Sequence, residues 1–374
     1  MRNAEERWIR LAKRDNNPKR PYLFVNPEQG KHIPADPGAP AGLGRMLAEK
    51  LAAAYPDDRL YVIGFAETAT GIAAAACSYL TNAVYYQNTT RERRENAEYL
   101  YFEETHSHAV EQLLRSERIA EYAAKSDRIV FVDDEVTTGS TVCRLIAALR
   151  GFCPPGTRWT VASVLNSMTA ERMEELREQG VECVFLSRIP HGYRADSVRD
   201  TEAEAERHLL FETPGAAVVP DFEFRCPADP RNALPVPEYI RETRRFSECV
   251  RALPGIAGHR LRRVLVLGTE EFMYPSFVVG EMLRQQGYAE EVRVHATTRS
   301  PILASGRPGY PLHHRYQIRS PYDPDRITYV YNLEAYDLAL ILTDAPGNPA
   351  GLAGLKEALR SAGTGRILTV RWND

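Results

Sequence analysis

The segment from Arg128 to Thr141 reads R-I-V-F-V-D-D-E-V-T-T-G-S-T: an apolar run, adjacent carboxylates, a turn rich in hydroxyls and glycine, then a helical pattern. A helix start presents unpaired backbone N–H groups and the positive end of the helix dipole. Thr137, Thr138, Gly139, Ser140 and Thr141 therefore form a seat for a phosphate monoester. Glycine at 139 lets the phosphate approach the backbone. Asp133 and Asp134 stand where the strand is expected to end, placed to accept hydrogen bonds from vicinal hydroxyls of a sugar whose phosphate fills the turn. Ribose 5-phosphate meets both demands. The plain alternative is a Walker B strand or an acidic helix cap, and neither calls for the T-T-G-S-T that follows.

This segment resembles the phosphoribosyl-diphosphate (PRPP) loop of type I phosphoribosyltransferases. The resemblance implies that Asp133 and Asp134 bind the ribose hydroxyls and that Thr137 to Thr141 hold the 5-phosphate. Glu135 replaces the usual apolar residue, and Thr137 stands where some purine enzymes carry a carboxylate base, so the group that activates the acceptor is not identified. Family members receive pyrophosphate on a loop after an earlier strand, which here points to Glu67, Thr68, Ala69, Thr70 and Gly71 in G-F-A-E-T-A-T-G; as a plain alternative, Glu67 caps the following helix. Arg91, in T-T-R-E-R-R after the next strand, is placed by topology to meet a polyphosphate with its forked guanidinium. The alternative there is a solvated run of charge.

Glu103 to His108 occupy the place of the family's mobile catalytic loop, where His106 and His108 could donate to the leaving pyrophosphate or act as acid and base. As a zinc pair these two lack further ligands. Tyr22 to Pro34 take the place of the hood over the acceptor base, with Lys31 and His32 as candidates for acceptor recognition, or as parts of a structural turn. Ser187 to Tyr193, including Arg188 and His191, would supply the rest of the hood. The resemblance also implies Mg2+ as cofactor, held mainly through PRPP and water, with Asp133 and Asp134 as the chain's own candidate ligands.

Short β-branched runs alternate with amphipathic runs of helical length, which predicts an α/β protein with a mainly parallel sheet. Strands are expected at Leu60 to Ile63, Ala83 to Tyr86, Arg128 to Val132, Thr160 to Leu165 and Val181 to Leu186. Helices are expected at Gly42 to Tyr55, Thr70 to Leu80, Ser140 to Arg150 and Thr169 to Gln179. Prolines crowd Thr213 to Pro237, which suits a linker or irregular cover, so residues 1–215 are assigned to a phosphoribosyltransferase-like domain and 216–240 to a linker. A smaller α/β domain is expected over 241–374. Its helices are placed at Arg241 to Leu253, Ser276 to Gln286 and Gly351 to Ser361; its strands at Val264 to Leu267, Val292 to His295, Leu338 to Leu342 and Arg366 to Arg371.

Three echoes recur in that second half in the same order. Val62 to Glu67 returns as Val266 to Glu271, Thr89-Thr90-Arg91 as Thr297-Thr298-Arg299, and Ile129 to Asp133 as Leu340 to Asp344. His106 follows Arg91 by 15 residues and His313 follows Arg299 by 14. These echoes predict a degenerate second copy whose loop after Asp344 lacks the second carboxylate and the threonines; the alternative is that any two Rossmann-like halves share strand-glycine turns. Thr298-Arg299-Ser300-Pro301, together with Gly268 to Tyr274, resembles the TRSP domain behind the transferase domain of bacterial tellurium-resistance-associated proteins. Glu270, Glu271, Thr298, Arg299 and Ser300 are its candidate functional residues.

With 47 Lys and Arg against 50 Asp and Glu, the formal charge of −3 provides no basic field for nucleic acid or acidic membrane, and no basic helix-turn-helix is evident. The first fifteen residues are too charged for a signal peptide, and no apolar run spans a bilayer. Six scattered cysteines without Cys-x-x-Cys spacing suit free thiols in a reducing cytoplasm. The expected activity is transfer of ribose 5-phosphate from PRPP to an unidentified base-like small molecule with release of pyrophosphate; a homodimer is compatible with this. The alternatives are a non-catalytic phosphoribosyl-nucleotide sensor and an enzyme running the reverse or hydrolytic reaction.

Overall fold

The computed structural model describes residues 7–15, 20–102, 112–189, 209–211, 220–256, 261–346 and 349–373. An antiparallel pair, β1 (Arg10–Lys13) and β2 (Tyr22–Val25), precedes helix α1 (Gly38–Ala54). Next come β3 (Leu60–Gly64), α2 (Ala69–Tyr79), β4 (Ala83–Asn88), the antiparallel pair β5 (Tyr99–Tyr101) and β6 (Leu113–Arg115), and α3 (Ile119–Ala124). The run β7 (Arg128–Val136), α4 (Ser140–Leu149), β8 (Arg158–Asn166), α5 (Ala170–Glu178) and β9 (Val181–Arg188) follows. Three short strands, β10 (Leu209–Phe211), β11 (Phe222–Arg225) and β12 (Leu234–Pro235), lead into α6 (Val236–Arg251). A second alternation ends the chain: β13 (Leu261–Gly268), α7 (Tyr274–Gln285), β14 (Ala289–Ala296), β15 (Arg315–Arg319), β16 (Ile327–Tyr331), β17 (Leu338–Thr343), α8 (Pro349–Ser361) and β18 (Arg366–Asn373).

The first sheet has the order β12-β4-β3-β7-β8-β9, with β12 antiparallel and the others parallel. The first five residues of β7 are all buried, as a central strand covered on both faces requires. Val142, Leu145, Ile146 and Leu149 turn one stripe of α4 inward, and Ile63, Phe131 and Val161 share that core. From β3 the chain runs outward to β4, and from β7 outward the other way to β8 and β9. The strand order thus reverses between β3 and β7, the point where open α/β sheets hold ligands.

The second sheet, β14-β13-β17-β18-β11, is wholly parallel. Its four main strands repeat the order β4-β3-β7-β8 as β14-β13-β17-β18, with a hairpin interposed in each copy before the third strand. Individual bonds repeat as well. Thr89 N–H donates to Gly64 O (2.9 Å) and Thr297 N–H to Gly268 O (3.1 Å). Ala66 N–H donates to Thr89 Oγ1 (2.8 Å) and Glu270 N–H to Thr297 Oγ1 (2.9 Å). Thr90 bridges Leu113 on β6, and Thr298 bridges Tyr329 on β16. The register moves one sequence pairing: Gly64 lies beside Val132 and Gly268 beside Leu342, so Asp344 answers to Asp134 and not to Asp133.

By spatial clustering the described residues fall into two units, one from 1–40, 194–227 and 243–374, the other from 41–193 and 228–242. This differs from a linear division at 216–240, because the amino-terminal segment clusters with the second sheet. Ala12 and Val25 join Ile302, Leu312 and Tyr331 in one apolar cluster. Within the stretch expected as linker or cover, β11 pairs with β18 and β12 with β4, each lengthening a sheet by one edge strand.

Candidate active site

Strand β7 outruns β3. Gly64 pairs with Val132 at the last rung, while Asp133, Glu135 and Val136 go on pairing with Ser163, Leu165 and Asn166 of β8. The acidic pair is therefore held on ladder structure that continues past Val132, where the sequence places the end of the strand, and one edge of that extension faces the end of β3. Asp133 and Asp134 are half-buried, and Asp134 N–H donates to Asp133 Oδ1 at 3.0 Å. Burial first, then the neighbouring Asp134 charge, pushes the Asp133 carboxyl well above the ordinary carboxylate range. Such a carboxyl gains when hydroxyl donors or a cation arrive to stabilise its ionised form.

The turn after β7 reaches α4 through Gly139, whose φ of +68° is the left-handed conformation that only glycine adopts without cost. Gly139 stands at the N-cap and has no side chain to cap the helix; Ser140 N–H donates to Thr138 Oγ1 at 3.3 Å. Thr138 Oγ1 donates to Ser140 Oγ at 2.9 Å, and Thr137, Ser140 and Thr141 are half-buried around it. Arg172 of α5, which sequence reasoning missed, supports the turn by donating from Nε to Thr138 O at 2.9 Å. No local motif marks it, since it lies 34 residues from the carbonyl it holds.

A Cβ at Gly139 would lie 3.2 Å from Leu176 Cδ1 and 3.3 Å from Met168 Sδ, besides forcing the left-handed backbone. Gly139→Ala is therefore expected to lower stability by about 1–2 kcal/mol and to weaken phosphate binding through the displaced turn. Thermal melting and phosphate titration check both; an unaltered melt with unaltered affinity would count against this turn.

Beside this turn, the loop after β3 is tied to the same strand end, since Phe65 N–H donates to Val132 O at 2.9 Å. Its Ala66–Glu67 peptide is cis. Gln112, also unforeseen, reaches Ala66 O with Nε2 at 3.4 Å. Thr68 is half-buried; Glu67, Ala69, Thr70 and Gly71 are buried. Ala69, Thr70 and Gly71 lie in the first turn of α2, and Thr70 turns its hydroxyl back to Glu67 O at 3.1 Å. Glu67 is not the helix cap: Thr68 holds that position, with no side-chain cap bond. What this loop offers a ligand is backbone and Thr68, more than side chains in general.

Arg91 follows Thr89 and Thr90, which are fully buried and anchor the β4 end, and it is itself partly exposed. His106 and His108, with the rest of 103–111, lie outside the described residues, as does His191. Lys31 is fully buried, and its ammonium donates to Glu270 O (2.7 Å) and Thr297 O (2.8 Å), with His32 also buried. Those bonds tie the amino-terminal segment to the second sheet, so the structure gives Lys31 an anchoring role in place of the acceptor-recognition role expected from sequence. In the second copy, Glu270, Glu271 and Thr298 are buried, and Arg299 pairs with Glu270 at 2.6 Å.

No cluster of three or more His, Cys, Asp or Glu residues able to hold a metal occurs among the described residues. The acidic pair offers two hard oxygen donors, which suits a cation that takes its other ligands from water and substrate. No helix among the described residues is long and apolar enough to cross a membrane, and none of the six cysteines is joined in a disulfide.

The parallel sheet with its reversal between β3 and β7, an acidic strand end and a hydroxyl-rich turn into a helix is the construction of a phosphoribosyltransferase-type α/β protein. A phosphoribosyl transferase family model matches residues 8–189, and a model of the TRSP domain, described as C-terminal to that transferase domain, matches 239–359. The chain belongs to the family that joins these two domains. No curated protein matches it. Among solved structures, it is similar to orotate phosphoribosyltransferase of Mycobacterium tuberculosis at 18% identity, covering 50% of this chain and 94% of that one, with a TM-score of 0.32. Adenine phosphoribosyl transferase of Trypanosoma brucei gives 13% identity, 58% and 87% coverage and a TM-score of 0.36. The adenine enzyme of Thermoanaerobacter pseudethanolicus gives 15%, 50% and 100%, and 0.34.

Proposed function

We propose that the first sheet carries a PRPP-dependent transferase that moves ribose 5-phosphate to a base-like small molecule and releases pyrophosphate. The observation that carries this is the acidic pair and left-handed glycine turn of β7 at the strand-order reversal, beside a second loop on β3. Asp133 and Asp134 accept the ribose 2- and 3-hydroxyls, while the α4 N-terminus with Thr137 to Thr141 takes the 5-phosphate. The β3 loop and Arg91 receive the diphosphate.

Departure of pyrophosphate leaves positive charge on the sugar ring. The chain's contribution is then to fix the ribose by its hydroxyls and phosphate and to meet the departing anion with N–H groups and a guanidinium, without a covalent intermediate. Mg2+, when bound, would neutralise diphosphate charge, and Asp133 and Asp134 are the residues suited to contact its shell. A reducing cytoplasm suits six cysteines with no disulfide among them.

Calorimetry with PRPP and Mg2+ tests the site, and pyrophosphate release across purine, pyrimidine and other heteroaromatic acceptors tests turnover. One PRPP bound per chain and release with at least one acceptor are expected. Absence of PRPP binding overturns the site; binding with no release across the panel moves the protein to the sensor class.

A further inference from the structure

The second copy preserves the framework of the first but fills it with its own side chains. Glu270 occupies the position of Ala66, since both residues donate their backbone N–H to the first threonine of the paired T-T-R segments. Its carboxylate is fully buried and meets Arg299 Nε at 2.6 Å, Arg326 Nη2 at 3.2 Å and Ser320 Oγ at 2.5 Å. Arg299 is the counterpart of Arg91. Where the first copy has the small Ala66, the second has a carboxylate on its loop arginine.

The sugar side is filled in the same manner. Asp344 answers to Asp134, and the Tyr322 hydroxyl donates to Asp344 Oδ1 at 2.5 Å. Ser320, Tyr322 and Arg326 all belong to the connection between β15 and β16, the counterpart of the hairpin interposed before β7. The Thr298 to Pro301 signature is also engaged within this unit. Thr298 bridges Tyr329, Ser300 O accepts from Tyr331 hydroxyl at 2.7 Å, and Pro301 O accepts from Asp15 N–H at 2.9 Å.

We propose that the TRSP unit is a latent anion site closed from within: the Glu270 carboxylate takes the seat of a phosphate-type anion between Arg299 and Arg326, and Tyr322 takes the seat of a sugar hydroxyl on Asp344. The signature is then a clamp that keeps this copy closed. Removing the internal carboxylate leaves the Arg299 and Arg326 guanidiniums, 6% and 18% exposed, with Glu271 at 3.9 Å from the first and Asp323 at 3.7 Å from the second, both too far for the short charge-assisted bonds that a small multivalent oxyanion would supply to the pair. The assignment of the seat rests on the phosphate-binding role proposed for the first copy, and counting sites separates the two.

Inorganic pyrophosphate is the probe, titrated by calorimetry into the full chain, Glu270→Ala and Glu270→Ala with Arg299→Ala. Glu270→Ala is expected to bind one more pyrophosphate per chain than the parent, and the double variant to lose that extra site. A parent that binds none while Glu270→Ala binds one would defeat the transferase site and leave this inference standing. Equal stoichiometry in parent and a folded Glu270→Ala overturns it. If Glu270→Ala does not fold, Glu270→Ser vacates the seat while leaving a small polar group for the neighbouring donors. Its Tm is expected to fall below the parent's in chloride and to rise with pyrophosphate by more than the parent's does, and a fall without that larger rise overturns the inference too.

Discussion

Asp133→Asn combined with Asp134→Asn is expected to abolish measurable PRPP binding while making the chain more stable. Hydrogen bonds to a charged acceptor contribute about 1.5–3 kcal/mol each, so losing the pair weakens binding by roughly a hundredfold to ten-thousandfold. The stability effect has the opposite sign because the Asp133 carboxyl is raised by burial and by its charged neighbour. A group whose folded-state value is raised binds its proton more tightly in the folded chain than in the unfolded one. Native stability is therefore lost as pH rises from the ordinary carboxylate range through the raised value, and an uncharged residue at 133 removes that loss. Calorimetry should show the fall in affinity, and melting curves across pH should be flatter for the variant. Retained PRPP affinity would remove the acidic pair from the site, whereas lost affinity with an unfolded chain would show that the carboxylates hold the fold.

The second large effect belongs to the TRSP unit. Arg299→Ala removes the nearer of two guanidiniums on a carboxylate with no solvent exposure. Breaking one side of a buried pair costs about 3–5 kcal/mol. With Arg326 and Ser320 still on Glu270, the lower end of that range is expected, which is a fall in Tm of roughly 6–12 °C for a unit of this size. Adding Glu270→Ala should cost less than the sum of the two single losses, because the charge left behind by the first change is removed by the second. Melting of the four proteins of the cycle measures this. Additive losses would mean that Arg299 stabilises through contacts other than Glu270.

The glycine turn proposed to seat the phosphate was legible because its signals are local. The apolar run Arg128 to Val132, the carboxylates, Gly139 and the amphipathic start of α4 all lie within one short segment, and each signals itself by residue type. The end of the strand was not legible. The apolar run stops at Val132, and only the length of β8 beside the acidic residues keeps Asp133 to Val136 on the ladder. The antiparallel pairing of β1 with β2 was missed for a related reason: no Asn-Gly or Asp-Gly signature in the sequence between them announces it.

Lys31 shows how a residue type misleads without its surroundings. A lysine in a glycine-rich turn suggests recognition of a substrate, yet its ammonium lies on carbonyls 239 and 266 residues away. Arg172 and Gln112 were invisible for the converse reason, being ordinary polar residues until folding brings them to Thr138 and Ala66.

By itself the amino-acid sequence determined the α/β class, the sugar-phosphate loop and the recurrence of that loop's neighbours in the second half, because periodicity and turn chemistry are written within a few residues. Tertiary structure decided which partners Glu270 and Asp344 meet, where the amino-terminal segment belongs, and how far the acidic strand extends. Those outcomes depend on pairing and burial between groups hundreds of residues apart, where the energy of a charge is set by what surrounds it and not by its neighbours along the chain.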